Sequence, residues 1–391
     1  MFDFFHALKW SLTTLVVVVL SLFSSPPTFI ATSTPIAGVS TSTLVAETPK
    51  TPLVQTPATS TKPEEKPKEK TPAPQKKEVL VPIEAKPAGP VETPTPLPDT
   101  PAPLSWDAIN EQTRAATVNI LCTSASGGLL NPVSGSGVLI DPRGVILVNA
   151  HLAQYLLVKD SPVKDFLDCV VRLGSPASPR YHAKLVYISP AWARTHYEEV
   201  LVQSPTGTGE NDFGLLLVGE PTGPSIQKPE KFPYLDIGLV ETSDLIGHPV
   251  IITAYPAGFL GGINIQMNLF LSSATATIQD VYTFIEDTVD LLSLGGSVVS
   301  QRGSSGGAVV NASGELIGIV VTSSEAPTTG ERDLRAITIS HINRVLQKET
   351  GVSLREFLAQ DIQAVGEQFR NEIAPELAKP FIQKLNDATP R

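Results

Sequence analysis

Cysteine is scarce in this chain, and basic clusters and internal repeats are absent from it. Only two cysteines, Cys122 and Cys169, occur in 391 residues. Neither has a CxxC partner or a neighbouring histidine pair, so no zinc site is expected. No Lys/Arg cluster appears and the formal net charge is −10, which argues against nucleic acid or anionic lipid as a partner. No solenoid-type period is visible. No metal-enzyme or pepsin-family motif is present either, and no cofactor is expected.

The residues that are present are unevenly distributed. The N-terminal stretch holds a near-continuous apolar run from Trp10 to Phe23 after Lys9. Fourteen residues suit the core of a signal peptide. Counted from Phe4 to Phe23 the run is long enough for an uncleaved anchor. Both readings of residues 1–31 put the remainder outside the cytoplasm, in the cell membrane's outward-facing space or secreted.

Residues 32–104 hold 16 of the 35 prolines, with eight Lys against eight Glu or Asp. Such a segment cannot bury enough apolar surface to offset its ordering entropy and reads as a disordered linker. At ~3.1 Å per residue where polyproline-like, it would reach on the order of 200 Å. Its charges cancel, so the acidic balance belongs to the residues beyond 104.

From Trp106 to about Lys348 the text changes to short apolar runs broken by Gly, Pro and Asn, such as SGVLIDPRGVILVNA, DFGLLLVG and ELIGIVVTS. Turn signals every eight to fifteen residues predict an all-β barrel or sandwich. DPRG at 141–144 and NASGE at 311–315 read as hairpin turns. Short helices are expected at Ser105–Ala116 and around Trp192–Val200. Both cysteines lie in strand-like text. An export signal with an even cysteine count favours a disulfide, worth roughly 4 kcal/mol by loop closure; two buried free thiols are the alternative. After Gly351 the period becomes helical, with Leu354, Phe357, Leu358, Ile362, Val365 and Phe369 on one face, a capping box at Ser353 and Glu356, and breaks expected at Pro375 and Pro380.

The chemistry centres on QRGSSGGAVV at 301–310. A serine hydroxyl needs a base, usually a histidine held by a carboxylate, and N–H donors aimed at the developing oxyanion. With Ser305 as nucleophile, Gly303 and Ser305 can turn their N–H groups toward one point, while Gly306 and Gly307 leave room for a substrate backbone. Of six histidines, His151 alone closes a buried strand, GVILVNAH. Asp212 stands just before the apolar strand FGLLLV. The order His, Asp, Ser along an all-β chain makes these three the candidate set.

SGSGVLIDPRGVILVNAHL, NDFGLLLV and QRGSSGGAVVNASGELIGIV resemble the core motifs of the trypsin-like serine proteases, nearest to the bacterial HtrA/Deg branch. The resemblance spans roughly residues 106–348. It implies two packed six-stranded antiparallel β-barrels over residues 105–350, polypeptide substrates and catalysis in the cleft between the barrels. His151 would be the general base, Asp212 its orienting carboxylate and Ser305 the nucleophile, with Gly303 and Ser305 forming the oxyanion hole and Ser304 inert. The primary pocket would be lined by Val299, Val321, Thr322 and Ser323. No acidic residue lies there, so a small or medium aliphatic side chain is expected rather than Lys or Arg; Arg302 reaching an acidic group is the other option. Residues 351–391 read as helix and tail rather than as the PDZ domain usual in that branch, and the Cys122 and Cys169 pair is not typical of it.

Two functions fit these residues. One is a tethered extracytoplasmic serine endopeptidase, engaged in envelope protein quality control or processing. The other is a trypsin-fold surface binding module that has lost catalysis.

Overall fold

The computed structural model describes residues 104–124, 130–202 and 207–388, apart from 259, 261, 285, 286, 325 and 329. The expected leader and most of the expected linker, residues 1–103, lie outside the described residues. Among the described residues no helix is long and apolar enough to cross a membrane.

A helix α1 (Trp106–Ala116) opens the described chain, capped by Ser105 and running straight into β1 (Thr117–Ser124). Then come β2 (Val133–Asp141), β3 (Val145–Val148), a single turn α2 (Ala150–Ala153), β4 (Leu167–Leu173), β5 (Ser178–Ile188), α3 (Pro190–His196) and β6 (Gly214–Pro221). These six strands close into a barrel in the order β1-β2-β3-β6-β5-β4. Val, Ile and Leu fill β3 and β6 and are buried on both faces, because helices and the second sheet cover the barrel's outside. At DPRG, Gly144 takes φ +92° and donates to Asp141 O at 3.0 Å, the positive φ that a residue without Cβ adopts freely.

The disulfide is formed. Cys122 and Cys169 face each other in the β1 and β4 ladder and are bonded, so the free-thiol alternative falls.

The second sheet has β7 (Pro249–Ala254), a short helix α4 (Gly262–Met267), β8 (Ser272–Thr277), β9 (Asp280–Tyr282), β10 (Leu291–Ser293), β11 (Ala308–Val310), β12 (Leu316–Ser323) and β13 (Leu334–Thr338). Its order is β8-β7-β11-β12-β13-β10-β9, a curled seven-stranded sheet where a closed six-stranded barrel was expected. The difference lies at one bend. β8 and β9 are the two edges yet are separated only by Ile278 and Gln279. Ile278 N–H bonds His248 O beside β7, whereas Gln279 N–H bonds Ser293 O in β10. The chain thus changes neighbours within two residues and joins the edges covalently, with no ladder between them.

Helix α5 (Ile339–Thr350) comes next, capped by Thr338 and ended by Gly351 at φ +84°. Then α6 (Leu354–Ala359), with the capping box of Ser353 and Glu356, α7 (Ile362–Gln368), a π turn and α8 (Ala374–Ala388) pack on the first barrel. Tyr187 of β5 meets the rings of Phe357 at 6.0 Å and Phe369 at 5.4 Å. Glu349 accepts from Tyr187 Oη, Ser189 Oγ and Ala191 N, tying α5 to the end of β5. Pro375 and Pro380 do not break the tail: α8 runs through both. Pro375 follows directly on the π turn Phe369–Ile373, inside a continuous helical run. Pro380 is carried by burial of Leu377, Ala378, Phe381 and Leu385, each large apolar side chain worth about 1.5–3 kcal/mol.

Candidate active site

His151 leaves the barrel where β3 ends. Asn149 O accepts from Leu152 N and Ala153 N, so the chain turns into α2 and lifts the imidazole off the strand. β3 and β6 are antiparallel with Val148 opposite Gly214. The residues after β3 and those before β6 therefore emerge at the same barrel end, which brings Asp212 beside His151.

Asp212 grips the histidine twice. Its Oδ2 lies 2.7 Å from His151 Nδ1, and its Oδ1 accepts the His151 backbone N–H at 2.9 Å. Asp212 is 6% exposed and its own backbone is held by Asn149 Nδ2 on Asp212 O at 3.0 Å. Burial alone would push the imidazole pKa down. The Asp212 charge and hydrogen bond, with the charge of Glu199, outweigh it and raise His151 above its ordinary value of 6.5.

Ser305 sits on a tight turn ahead of β11. Gly303 and Gly306 flank it at φ +89° and +83°. At Gly306 a Cβ would come 2.0 Å from Ser136 O, so glycine is required. The carbonyls of the turn are all anchored. Arg302 O accepts from Ala257 N at 2.7 Å, Ser304 O from Gly307 N at 2.8 Å and Ser305 O from Ser136 N at 2.8 Å; Gly303 O accepts from Ser136 Oγ at 2.8 Å. In a trans peptide the N–H points away from the carbonyl. The Arg302 and Ser304 carbonyls are drawn into protein, so the Gly303 and Ser305 N–H groups face the other way, and neither has a hydrogen-bond partner among the described residues. Ser304 is buried with its hydroxyl unpaired. Ser305 is half-buried, and no hydrogen bond joins its hydroxyl to His151.

The predicted pocket residues fall in two places, Val299 in the second sheet's core and the other three at the end of β12. Val299 is fully buried in the core of the second sheet, enclosed by protein rather than open to a cleft. Val321 is buried against Gly209, where a Cβ would meet its Cγ1 at 2.7 Å. Thr322 and Ser323 are the last two residues of β12. An open depression of about 600 Å³ borders Ser297 and Val298 and is lined on its other side by Trp106, Asp107 and Asn110 of α1. Among the described residues no group of His, Cys, Asp and Glu could hold a metal ion.

Three contributors escaped sequence reasoning. Ser136 lies inside the SGSG stretch but bonds residues more than 160 positions away. Ala257 acts through its backbone alone. Glu199 reaches His151 electrostatically from the 3₁₀ turn Tyr197–Leu201 that extends α3, an excursion that has no linear signature.

A barrel and a curled antiparallel sheet, with a carboxylate and histidine pair on one and a glycine-bounded serine turn on the other, define the architecture of a two-sheet peptidase. Residues 135–319 match the family model of the trypsin-like peptidase domain, and the trypsin-like resemblance read from the motifs holds over that span. Among solved structures it is similar to Deg5, with 16% sequence identity, a TM-score of 0.39 and coverage of 60% of this chain and 89% of that one. It is also similar to the serine endoprotease from Yersinia pestis, with 21% identity, a TM-score of 0.39 and coverage of 64% and 69%. No curated protein sequence matches the chain.

Proposed function

We propose that the protein is a serine endopeptidase that cleaves polypeptides through an acyl-enzyme. The observation that carries this reading is the double hold of Asp212 on His151, 2.7 Å at the ring and 2.9 Å at the backbone, beside a serine turn with two unpaired N–H donors. Ser305 Oγ attacks the scissile carbonyl and gives its proton to His151 Nε2. The carbonyl oxygen becomes an oxyanion that the Gly303 and Ser305 N–H groups stabilise. Collapse breaks the C–N bond, and His151 returns the proton to the leaving amine. Water then repeats the sequence, with His151 as base, to release the acid and free Ser305. Asp212 fixes the tautomer that keeps Nε2 free to accept and stabilises the imidazolium.

On this reading residues 1–31 anchor or export the chain, 32–104 form the linker, 105–350 are the peptidase and 351–391 its helical tail. The site faces the extracytoplasmic space and acts in envelope protein processing or quality control, by analogy with the family alone. The lack of an acidic residue in Ser297–Gln301 and Val320–Ser323 supports cleavage after non-basic residues. The absence of a Ser305 to His151 hydrogen bond supports the second reading, a catalytically silent binding module. Hydrolysis of an activated peptide ester by the full-length chain separates them. A pre-steady-state burst equal to the enzyme concentration supports the peptidase, and binding without turnover supports the module.

A further inference from the structure

The serine turn is held from the first barrel by one residue, through its hydroxyl and its N–H. Ser136 lies on β2 opposite Asn119 of β1 and is fully buried. Its Oγ accepts the Tyr255 backbone N–H at 2.9 Å. A hydroxyl has one proton, and with Tyr255 N–H occupying a lone pair that proton goes to Gly303 O at 2.8 Å. The same residue's N–H holds Ser305 O at 2.8 Å. Ser136 thus anchors two of the four carbonyls in the 302–305 turn, one of them through its side chain. The Ser136 carbonyl is also the atom that a Cβ at Gly306 would strike, so the strand and the turn are in contact along their backbones.

We propose that Ser136 is a positioning residue for the oxyanion-binding turn, setting the peptide plane between Gly303 and Ser304 so that the Gly303 and Ser305 N–H groups converge. The inference rests on the serine-peptidase reading for its catalytic consequence, and on geometry alone for its structural one. Gly303 has no Cβ to restrain it and holds φ +89°, so once its carbonyl is released the 303–304 peptide is held only by the Ser304 N–H on Gln301 O at 3.2 Å. The neighbouring 302–303 plane is separately fixed by Ala257 N–H on Arg302 O. Loss of the Ser136 hydroxyl therefore relaxes one peptide between the two donors and leaves the ends of the turn in place. It also strands a buried carbonyl and the Tyr255 N–H without their partner.

The test compares Ser136→Ala and Ser136→Thr with the wild-type full-length chain. Hydrogen exchange over residues 300–310 reads the turn directly, because the Ser304, Gly306 and Gly307 N–H groups are bonded within it or to β12. The alanine variant is expected to exchange at least about tenfold faster there, with β3 and β6 unchanged. Turnover of a peptide substrate should lose roughly ten- to a hundredfold in kcat with KM within about threefold, less than the roughly 10² to 10³ that outright removal of an oxyanion donor costs, since both donors are kept. Threonine, which keeps the hydroxyl, should restore kcat. Unchanged exchange in the alanine variant, or a loss confined to KM, would overturn the proposal. If alanine prevents folding, Ser136→Cys, a weaker donor, must fall between threonine and wild type on one side and background on the other; equal kcat in all three folded forms would overturn it. Wild-type protein without turnover but with a protected turn would instead count against the peptidase reading, and the exchange comparison would still decide the role of Ser136.

Discussion

Asp212 binds His151 at two points, the ring Nδ1 through Oδ2 and the backbone N–H through Oδ1, at 2.7 and 2.9 Å. One carboxylate thus fixes both the position of the residue and the rotation of its imidazole. Replacing it with asparagine keeps the size but offers an amide N–H or O to Nδ1 and lets the wrong tautomer form. Asp212→Asn is expected to lower kcat/KM by about 10⁴ with the fold intact, as checked by steady-state kinetics alongside circular dichroism.

Glu199 makes the histidine more basic from outside that pair. A raised pKa means that His151 holds its proton to higher pH, so kcat/KM should climb with pH through a midpoint above 6.5, the ordinary histidine value. Glu199→Gln removes one of the charges that retain the proton. The acid limb of the pH–rate profile should then move to lower pH, with the plateau changed by less than about twofold. A limb that stays in place would separate Glu199 from the site.

Gly306 is the least replaceable residue of the turn. Its φ is +83° and a Cβ would lie 2.0 Å from Ser136 O. Gly306→Ala should abolish peptide cleavage and reduce the melting temperature, because both the backbone conformation and the contact with β2 must yield. Differential scanning calorimetry of the variant checks the second effect independently of activity.

A separate buried cluster stabilises the second sheet. Asp290 accepts from His341 Nδ1 at 2.8 Å and Arg344 Nη2 at 2.6 Å, and from Phe284 N and Thr288 Oγ1. Burial opposes its charge, but these bonds hold its carboxyl well below the usual range. Burial pushes His341 down, outweighing Asp290; the other charges acting on the ring are Arg344 and Glu210. The signs agree. The unfolded chain binds more protons in both cases, so stability is complete above the ordinary histidine value, declines as pH falls below 6.5 and is lost further as Asp290 is protonated. Asp290→Asn should cost about 3–5 kcal/mol at neutral pH and remove only the loss below the usual carboxylate range, while the loss owed to His341 persists because Asp290 had been raising its pKa, as read by urea unfolding across pH.

The Cys122 and Cys169 bond closes a loop with a sequence separation of 47. Replacing both cysteines with serine should cost about 4 kcal/mol in the chain-entropy model. The denaturation midpoint of the double variant, compared with oxidised wild type, measures it, and reduced wild type should match the variant.

Much of the site is legible because strand chemistry is local. GVILVNAH ends an apolar run at His151, NDFG begins one at Asp212, and GSSGG requires backbone freedom at Gly303 and Gly306. The cystine likewise is expected from two strand-borne cysteines behind an export signal. The features that stay hidden depend on distance or on competition. Ser136 acts on Gly303 across 167 positions, so its role exists only once β2 packs on the turn. Val299 is six residues before Ser305, which fixes its neighbourhood but not its face, and it points into the core of the second sheet. SATATIQDVY alternates through Ile278 and then slips phase at Gln279 and Asp280, a one-residue slip that does not distinguish a bulge from the exchange of partners found there. Pro380 reads as a stop, yet the buried Phe381 beside it holds α8 continuous.

The central claim is that Ser305 is an activated nucleophile. Treating the full-length chain with a fluorophosphonate and locating the adduct by mass spectrometry tests it most directly, beside Ser305→Ala and His151→Ala. The account predicts one adduct, on Ser305, absent from both variants. A folded wild-type protein that takes no label, or takes it on Ser304, would contradict it.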